Sequence, residues 1–440
     1  MAANLTLAKD HRVVHRWGQL VACIIAMMAI ANLQYAWTLF TIPLTQSLGV
    51  KLSVVQIAFT IFVLAETWLV PLEGYIIDRL GARLMVTLGG LLVGVSWIGS
   101  GLANSVTALY IWYALGGIGA GAVYGASIGV ALKWFPDRRG LAAGLTAGSY
   151  GIGTALTILP IQHMIAASGY RSAFITWGII QGIIVLVAAQ FLMAPVAGRQ
   201  PSGWDQAASG GKVQQSAISY TPLQMIKTGV FWLTYLMMAL VAFGGLMVTA
   251  QLKPIAAFYH LDKTAVLFGI TALGLALVLD RVLNGLTRPF WGWISDHIGR
   301  YNTMAIAFAS EALAILALLQ LVHRPIWFIV LTGLAFFAWG EIFSLFPATI
   351  GDLFGPAYAT TNYGIEYTAK GLAAIFAGWG AALLVEFGAS WVDVFWIAVG
   401  CDLLAAILAL FVLKPLVVKR VAHEPAEFPT GAMPLKAGAR

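Results

Sequence analysis

Three cations stand inside otherwise apolar stretches of this sequence: Arg281, Arg288 and Lys370. A charge held in hydrocarbon is costly, so such residues mark ligand sites, ion paths or counter-ions. A guanidinium presents a planar fork that can grip a carboxylate through two parallel bonds, and an ammonium offers a point charge. The chemistry on offer is therefore anion binding, with a structural ion pair as the alternative. Arg281 and Arg288 are seven residues apart. On a helix they share one face, about 10.5 Å apart along the axis. Asp280 adjoins Arg281 but points about 100° away, and Arg281 reads as an ion-pair or gate residue rather than a ligand.

Acids accompany these cations. Glu366 precedes Lys370 by four residues, the favourable order for a helical ion pair. Glu341 follows Trp339 in Phe336-Phe337-Ala338-Trp339-Gly340-Glu341. Either acid can serve as a counter-ion or carry a coupled proton. Glu66, Glu73, Glu311 and Asp402 read as structural or peripheral. Tyr35, Tyr124 and Tyr150 sit in mid-stretch beside small or polar residues, where their hydroxyls can donate to a carboxylate. Gln34 and Gln56 are further polar residues of the same kind.

The elements that must position these groups follow from composition. Of 440 residues, 60% are hydrophobic and 10% charged, where soluble domains carry roughly 25% charged. Mean hydropathy is +0.85. Such a chain has too little polar surface for water and too little charge for disorder, so it is an integral membrane protein. The apolar runs are unbroken, unlike the alternating strands of an outer-membrane barrel. The two cysteines, Cys23 and Cys401, lie inside these runs and form no disulfide or metal pattern. The net charge of +7 fits cytoplasmic loops better than nucleic acid. No nucleotide motif and no nucleophile–base constellation is legible, so neither a cofactor nor an enzyme is expected.

Twelve spans are expected, at about 17–43, 54–77, 84–104, 106–134, 140–166, 172–195, 230–257, 264–291, 303–322, 326–350, 363–387 and 393–417. They form an all-α membrane fold of two six-helix halves, 17–195 and 230–417. A polar leader (1–16), a Gly/Ser/Gln-rich flexible linker (196–229) and a tail (418–440) complete the chain. With both ends in the cytoplasm, sixteen cations fall on inner segments and five on outer loops. The positive-inside rule thus places both termini on the cytoplasmic side, and the expected location is a bacterial inner membrane.

The halves repeat. Gly74-Tyr75-Ile76-Ile77-Asp78-Arg79-Leu80-Gly81-Ala82-Arg83 follows span two, and Gly292-Trp293-Ile294-Ser295-Asp296-His297-Ile298-Gly299-Arg300 follows span eight. Both read G-x-x-x-D-x-x-G with a following Arg: glycines for a tight two-helix turn, and an Asp that can cap a helix or pair with Arg. Spans four and five also carry glycines at a four-residue period, Gly117 to Gly129 and Gly140 to Gly148. Such stripes allow close helix approach, whether for static packing or for sliding.

The repeated loop resembles the signature of the major facilitator superfamily. That resemblance implies a 6+6 fold with a site between the halves near the midplane. Within it, several stretches resemble the oxalate:formate antiporter family: Gln34-Tyr35-Ala36-Trp37-Thr38, Val123-Tyr124-Gly125, Trp134-Phe135-Pro136-Asp137-Arg138-Arg139-Gly140-Leu141-Ala142, Tyr150-Gly151, Arg288-Pro289-Phe290-Trp291-Gly292 and Asn362-Tyr363-Gly364. The resemblance implies that Arg288 and Lys370 bind a dicarboxylate, and that Gln34, Tyr35, Gln56, Tyr124, Tyr150 and Trp339 line the anion chamber. Where that family has a Tyr after the span-ten Trp and a Trp before the Lys, this chain has Phe343 and Tyr367. The expectation is a secondary carrier of small carboxylates in lipid, exchanging oxalate for formate. The alternatives are proton-coupled monocarboxylate symport and a receptor that binds without transport.

Overall fold

The computed structural model describes residues 16–135, 139–193, 219–355 and 358–423. Among the described residues, ten helical stretches are long and apolar enough to cross a membrane: Arg16–Leu48, Leu52–Glu73, Ala82–Leu102, Val106–Trp134, Leu141–Phe191, Gly229–Phe258, Arg300–Leu321, Pro325–Phe354, Thr361–Glu386 and Trp391–Lys419. Leu141–Phe191 runs for 51 residues, about two and a half times what a bilayer core of roughly 30 Å accommodates. It divides into spans five and six at Gly169, which takes φ 81° and ψ 162°. A further helix, Ala272–Ile298, carries Asp280, Arg281 and Arg288 and completes the set of twelve as span eight. Six spans precede residues 194–218 and six follow them.

Local chemistry sets the helix ends. Ser105, Thr228, Thr271 and Ser390 each accept a backbone N–H of the first turn, satisfying a donor the helix leaves orphaned. Gly81 and Gly299 occupy the same place in the two loop motifs and adopt nearly the same conformation, φ 82°, ψ 150° and φ 88°, ψ 153°. A side chain rarely tolerates this φ, which explains the glycine in both copies. The repeat is therefore one of backbone geometry as well as sequence. In the second copy Arg300 bonds Ser295, Asp296 (2.8 Å) and Asp352 of span ten (3.2 Å). In the first, Arg83 donates to Gln190 at 2.7 Å; the side chains of Asp78 and Arg79 lie outside the described residues. So do the leader up to residue 15, residues 136–138 of the Trp134–Ala142 stretch, and the tail from 424.

Two expectations are corrected. Span eight begins at Ala272 rather than 264, because Ala265–Leu267 and Ile270–Thr271 form a small antiparallel hairpin. Phe268 and Gly269 at its tip take positive φ, 49° and 75°, which no helix admits. The expected flexible linker is structured from 219 onward. Thr221 and Gln224 form a capping box on the short helix Pro222–Met225, and Tyr220 pairs through its backbone with Phe354 and Asn362.

Several spans are broken near their middle. Span one interrupts at Ala31 and Ala36, on either side of Asn32–Tyr35. Span ten breaks between Trp339 and Ile342, at Gly340-Glu341. Span eleven passes into a π-helical turn at Ile375–Gly380. Interrupted helices at membrane depth persist where they face protein or a cavity, and they commonly mark function.

The halves meet through spans five and eight, two and eleven, and one and seven. Gly148 and Gly285 make the five–eight crossing close: a Cβ on either would lie 3.1 Å from the other's carbonyl oxygen. The glycine stripe of span four is used only in part. Gly117 and Gly121 press on span two, whereas Gly129 faces open space.

Candidate functional site: a buried cationic cage between the halves

The crossing of spans five and eight delivers Arg288. Its Nη1–H donates to the Ala147 carbonyl, and its guanidinium lies over the Phe343 ring, 4.6 Å from the centroid. It also faces the Tyr124 hydroxyl. Lys370 reaches the same ring from span eleven, at 5.6 Å. Both cations are buried, Arg288 at 2% and Lys370 at 0% exposure. Aromatic rings join them into one cage: Tyr35 and Tyr150 at 5.3 Å, Tyr124 and Tyr150 at 5.5 Å, Tyr124 stacked on Tyr367 at 5.8 Å, and Phe343 on Tyr367 at 6.2 Å. Cation–π attraction of about 0.5–2 kcal/mol per contact offsets part of the cost of burying these charges.

The Lys370 ammonium uses all three of its protons on protein. It donates to Glu66 Oε2 at 2.8 Å, Gln34 Oε1 at 2.9 Å and the Tyr367 hydroxyl at 3.1 Å. Tyr150 donates its hydroxyl to Glu66 Oε1 at 2.9 Å and lies 3.1 Å from Gln34 Oε1. The partner of Lys370 is thus Glu66 of span two, not Glu366. No ion pair forms between Glu366 and Lys370; the Glu366 carboxyl lies beside Thr234 instead. The four-residue spacing allowed the local pair, but the cage side of span eleven turns toward the other half, where Glu66 waits.

Arg281 forms the third cationic corner. Its guanidinium is sandwiched between Tyr35 at 4.3 Å and Phe336 at 4.0 Å. Asp280 makes no salt bridge to it and lies beside Thr332, as the 100° step around a helix requires. Glu341 turns away from the cage toward Glu311 and Asp402. Trp339 stands one ring behind, 5.3 Å from Phe343 and flush against Gly245.

Gln56 does not line the cage. Trp37 Nε1–H donates to its Oε1 at 2.8 Å, and its Nε2–H donates to Ala250 O at 2.8 Å and Gln251 Oε1 at 2.9 Å. Both ends of the amide are used, and they tie span two to span seven. The same end of the bundle carries Lys253 Nζ on Leu39 O at 2.8 Å. There Glu386 also accepts from the backbone and the hydroxyl of Ser53, both at 2.8 Å. These bonds close one face between the halves.

The sequence reading of Glu66 as structural or peripheral is corrected, because its carboxylate pairs with Lys370 inside the cage. A signal for it existed. With the loop motifs aligned, Glu66 stands eight residues before Gly74 and Asn284 eight before Gly292, and both are buried. The donors left over are informative. Gln34 Nε2, Tyr35 OH, Trp339 Nε1, Arg281 Nε and Arg288 Nε are buried without a hydrogen-bond partner among the described residues. An unmet buried donor is costly. A cluster of them around cations suits an anion.

Comparison with known proteins agrees with this architecture. The profile described as Major Facilitator Superfamily matches residues 22–286 and 268–437. The oxalate:formate antiporter of Oxalobacter formigenes is 37% identical over 406 residues, covering 91% of this chain and 92% of that protein. Monocarboxylate transporter 14 of Homo sapiens is 23% identical over 385 residues, covering 70% and 74%. The solved structure of a proton:xylose symporter bound to 6-bromo-6-deoxy-D-glucose superposes with a TM-score of 0.67 at 17% identity, covering 91% of this chain and 99% of that one. That last likeness shows the fold. The chain belongs to the Major Facilitator Superfamily, in the oxalate:formate antiporter family, and is a multi-pass secondary transporter rather than an enzyme.

Proposed function

We propose that the chain carries small carboxylate anions by alternating access and exchanges oxalate for formate. One observation carries this reading: two fully buried cations from the C-terminal half, Arg288 and Lys370, flank a single ring in a cage edged by unmet donors. The 37% identity to an oxalate:formate antiporter supports it. Arg288 grips one carboxylate through its fork, Lys370 draws the other, and the hydroxyls of Tyr35 and Tyr124 complete the shell. The halves are the units that rock, 17–195 against 230–417, with both termini in the cytoplasm.

The test is counterflow in proteoliposomes. Vesicles loaded with oxalate should take up labelled oxalate and labelled formate, and each should compete with the other. Loaded vesicles that exchange no small carboxylate would overturn the reading.

A further inference from the structure

We propose that Glu66 is a tethered counter-anion: a carboxylate of the protein's own that takes Lys370 between cycles, so that the unloaded carrier closes and returns and net flux accompanies exchange. This rests on the reading of the chain as a carboxylate carrier.

Three features carry it. First, Lys370 is saturated. Its three N–H groups go to Glu66, Gln34 and Tyr367, so an arriving carboxylate must displace one of them. Glu66 is the partner of the same chemistry, a carboxylate oxygen at 2.8 Å. Second, the pair bridges the halves. Glu66 comes from span two and Lys370 from span eleven, 304 residues away, at 1% and 0% exposure. The tether therefore does what a substrate carboxylate would do: it neutralises the ammonium and holds the halves together. Without it, closing on a bare ammonium would leave an unpaired charge in a low-dielectric interior, which is strongly unfavourable. Third, release is provided for. Glu66 Oε1 keeps its bond from Tyr150 at 2.9 Å, and neighbouring Gln34 Nε2 is a buried donor without a partner among the described residues. The displaced carboxylate thus retains hydrogen bonds while substrate holds Lys370.

Arg288 differs. Among the described residues it has no carboxylate within salt-bridge distance, and its contacts are a backbone carbonyl, an aromatic ring and the Tyr124 hydroxyl. It is the open cation that receives an anion first, and Lys370 follows by exchange.

The experiment compares two fluxes in one preparation of full-length protein in liposomes, with the membrane potential clamped. One is exchange of labelled oxalate against internal oxalate. The other is efflux of labelled oxalate into anion-free medium. Wild type should show net efflux within about tenfold of exchange. Glu66→Gln should keep exchange within about threefold of wild type yet lose net efflux by about tenfold or more, as the loss of a buried counter-charge implies. Oxalate should bind detergent-solubilised Glu66→Gln severalfold more tightly, because the internal competitor is gone. That binding assay also shows that the variant is folded. An unchanged ratio of net efflux to exchange in Glu66→Gln, or weaker binding in both Glu66→Gln and Glu66→Ala, would overturn the tether. Wild type that exchanges no carboxylate removes the parent reading and the tether with it, whereas normal exchange with an unchanged ratio removes the tether alone.

Discussion

Gly148 and Gly285 meet backbone to backbone across the two halves, and one residue before Gly148 the carbonyl of Ala147 receives the guanidinium of Arg288. The close crossing and the placement of the cation are thus one structural event. A methyl group at Gly285 would come within 2.8 Å of Ile152 Cβ and 3.1 Å of Gly148 O.

Gly285→Ala should push spans five and eight apart and lose most transport while the protein still inserts. Overpacking of this kind costs on the order of 1–3 kcal/mol. Gly144→Ala is the control, because nothing lies within 4 Å of a Cβ there. Transport and thermal unfolding of both variants check this, and equal behaviour would refute it.

Arg288→Lys should cut exchange severely with normal expression. A single ammonium cannot hold the Ala147 carbonyl and also grip a carboxylate with a planar fork. Near-wild-type exchange in Arg288→Lys would take Arg288 out of the substrate's reach.

Tyr35 and Tyr150 should part company on removal of the hydroxyl. Tyr35 OH has no partner among the described residues, so Tyr35→Phe should weaken carboxylate binding by about 1.5–3 kcal/mol, the scale of a bond to a charged group, and barely alter stability. Tyr150 donates to Glu66 at 2.9 Å, so Tyr150→Phe should loosen the Glu66–Lys370 pair and lower the melting temperature. Binding titrations and melting curves on both variants separate the two effects.

Glu366→Gln should leave carboxylate affinity within about twofold of wild type, since a group without a charge partner at the site contributes little to it. Glu366 stands one turn from Lys370 in sequence, but its carboxyl lies beside Thr234. A large affinity change in Glu366→Gln would show that it reaches the site.

Much of this molecule is legible in its sequence, for reasons of scale. Spans answer to bilayer thickness and apolar content alone, so their number and order follow from composition. The hairpin before span eight was missed because the run from Ala265 to Ile270 is apolar enough for a helix, and only its turn geometry excludes one. The repeated G-x-x-x-D-x-x-G loops announced the two halves, and the matching φ and ψ of Gly81 and Gly299 bear them out. The cost of charge in hydrocarbon singled out Arg281, Arg288 and Lys370.

Partner choice was beyond that reach. Helical spacing relates residues on one helix, and it paired Lys370 with Glu366. The structure pairs Lys370 with a carboxylate 304 residues away. It also turns Gln56, which resembled a chamber residue, into a clasp on Gln251. Which faces of spans two, seven and eleven meet depends on how two bundles rotate and pack against each other. Close contacts such as Gly148 on Gly285 set that rotation, and no local pattern encodes it. The cations were determined by the sequence, whereas their counter-charge was decided only when the halves came together.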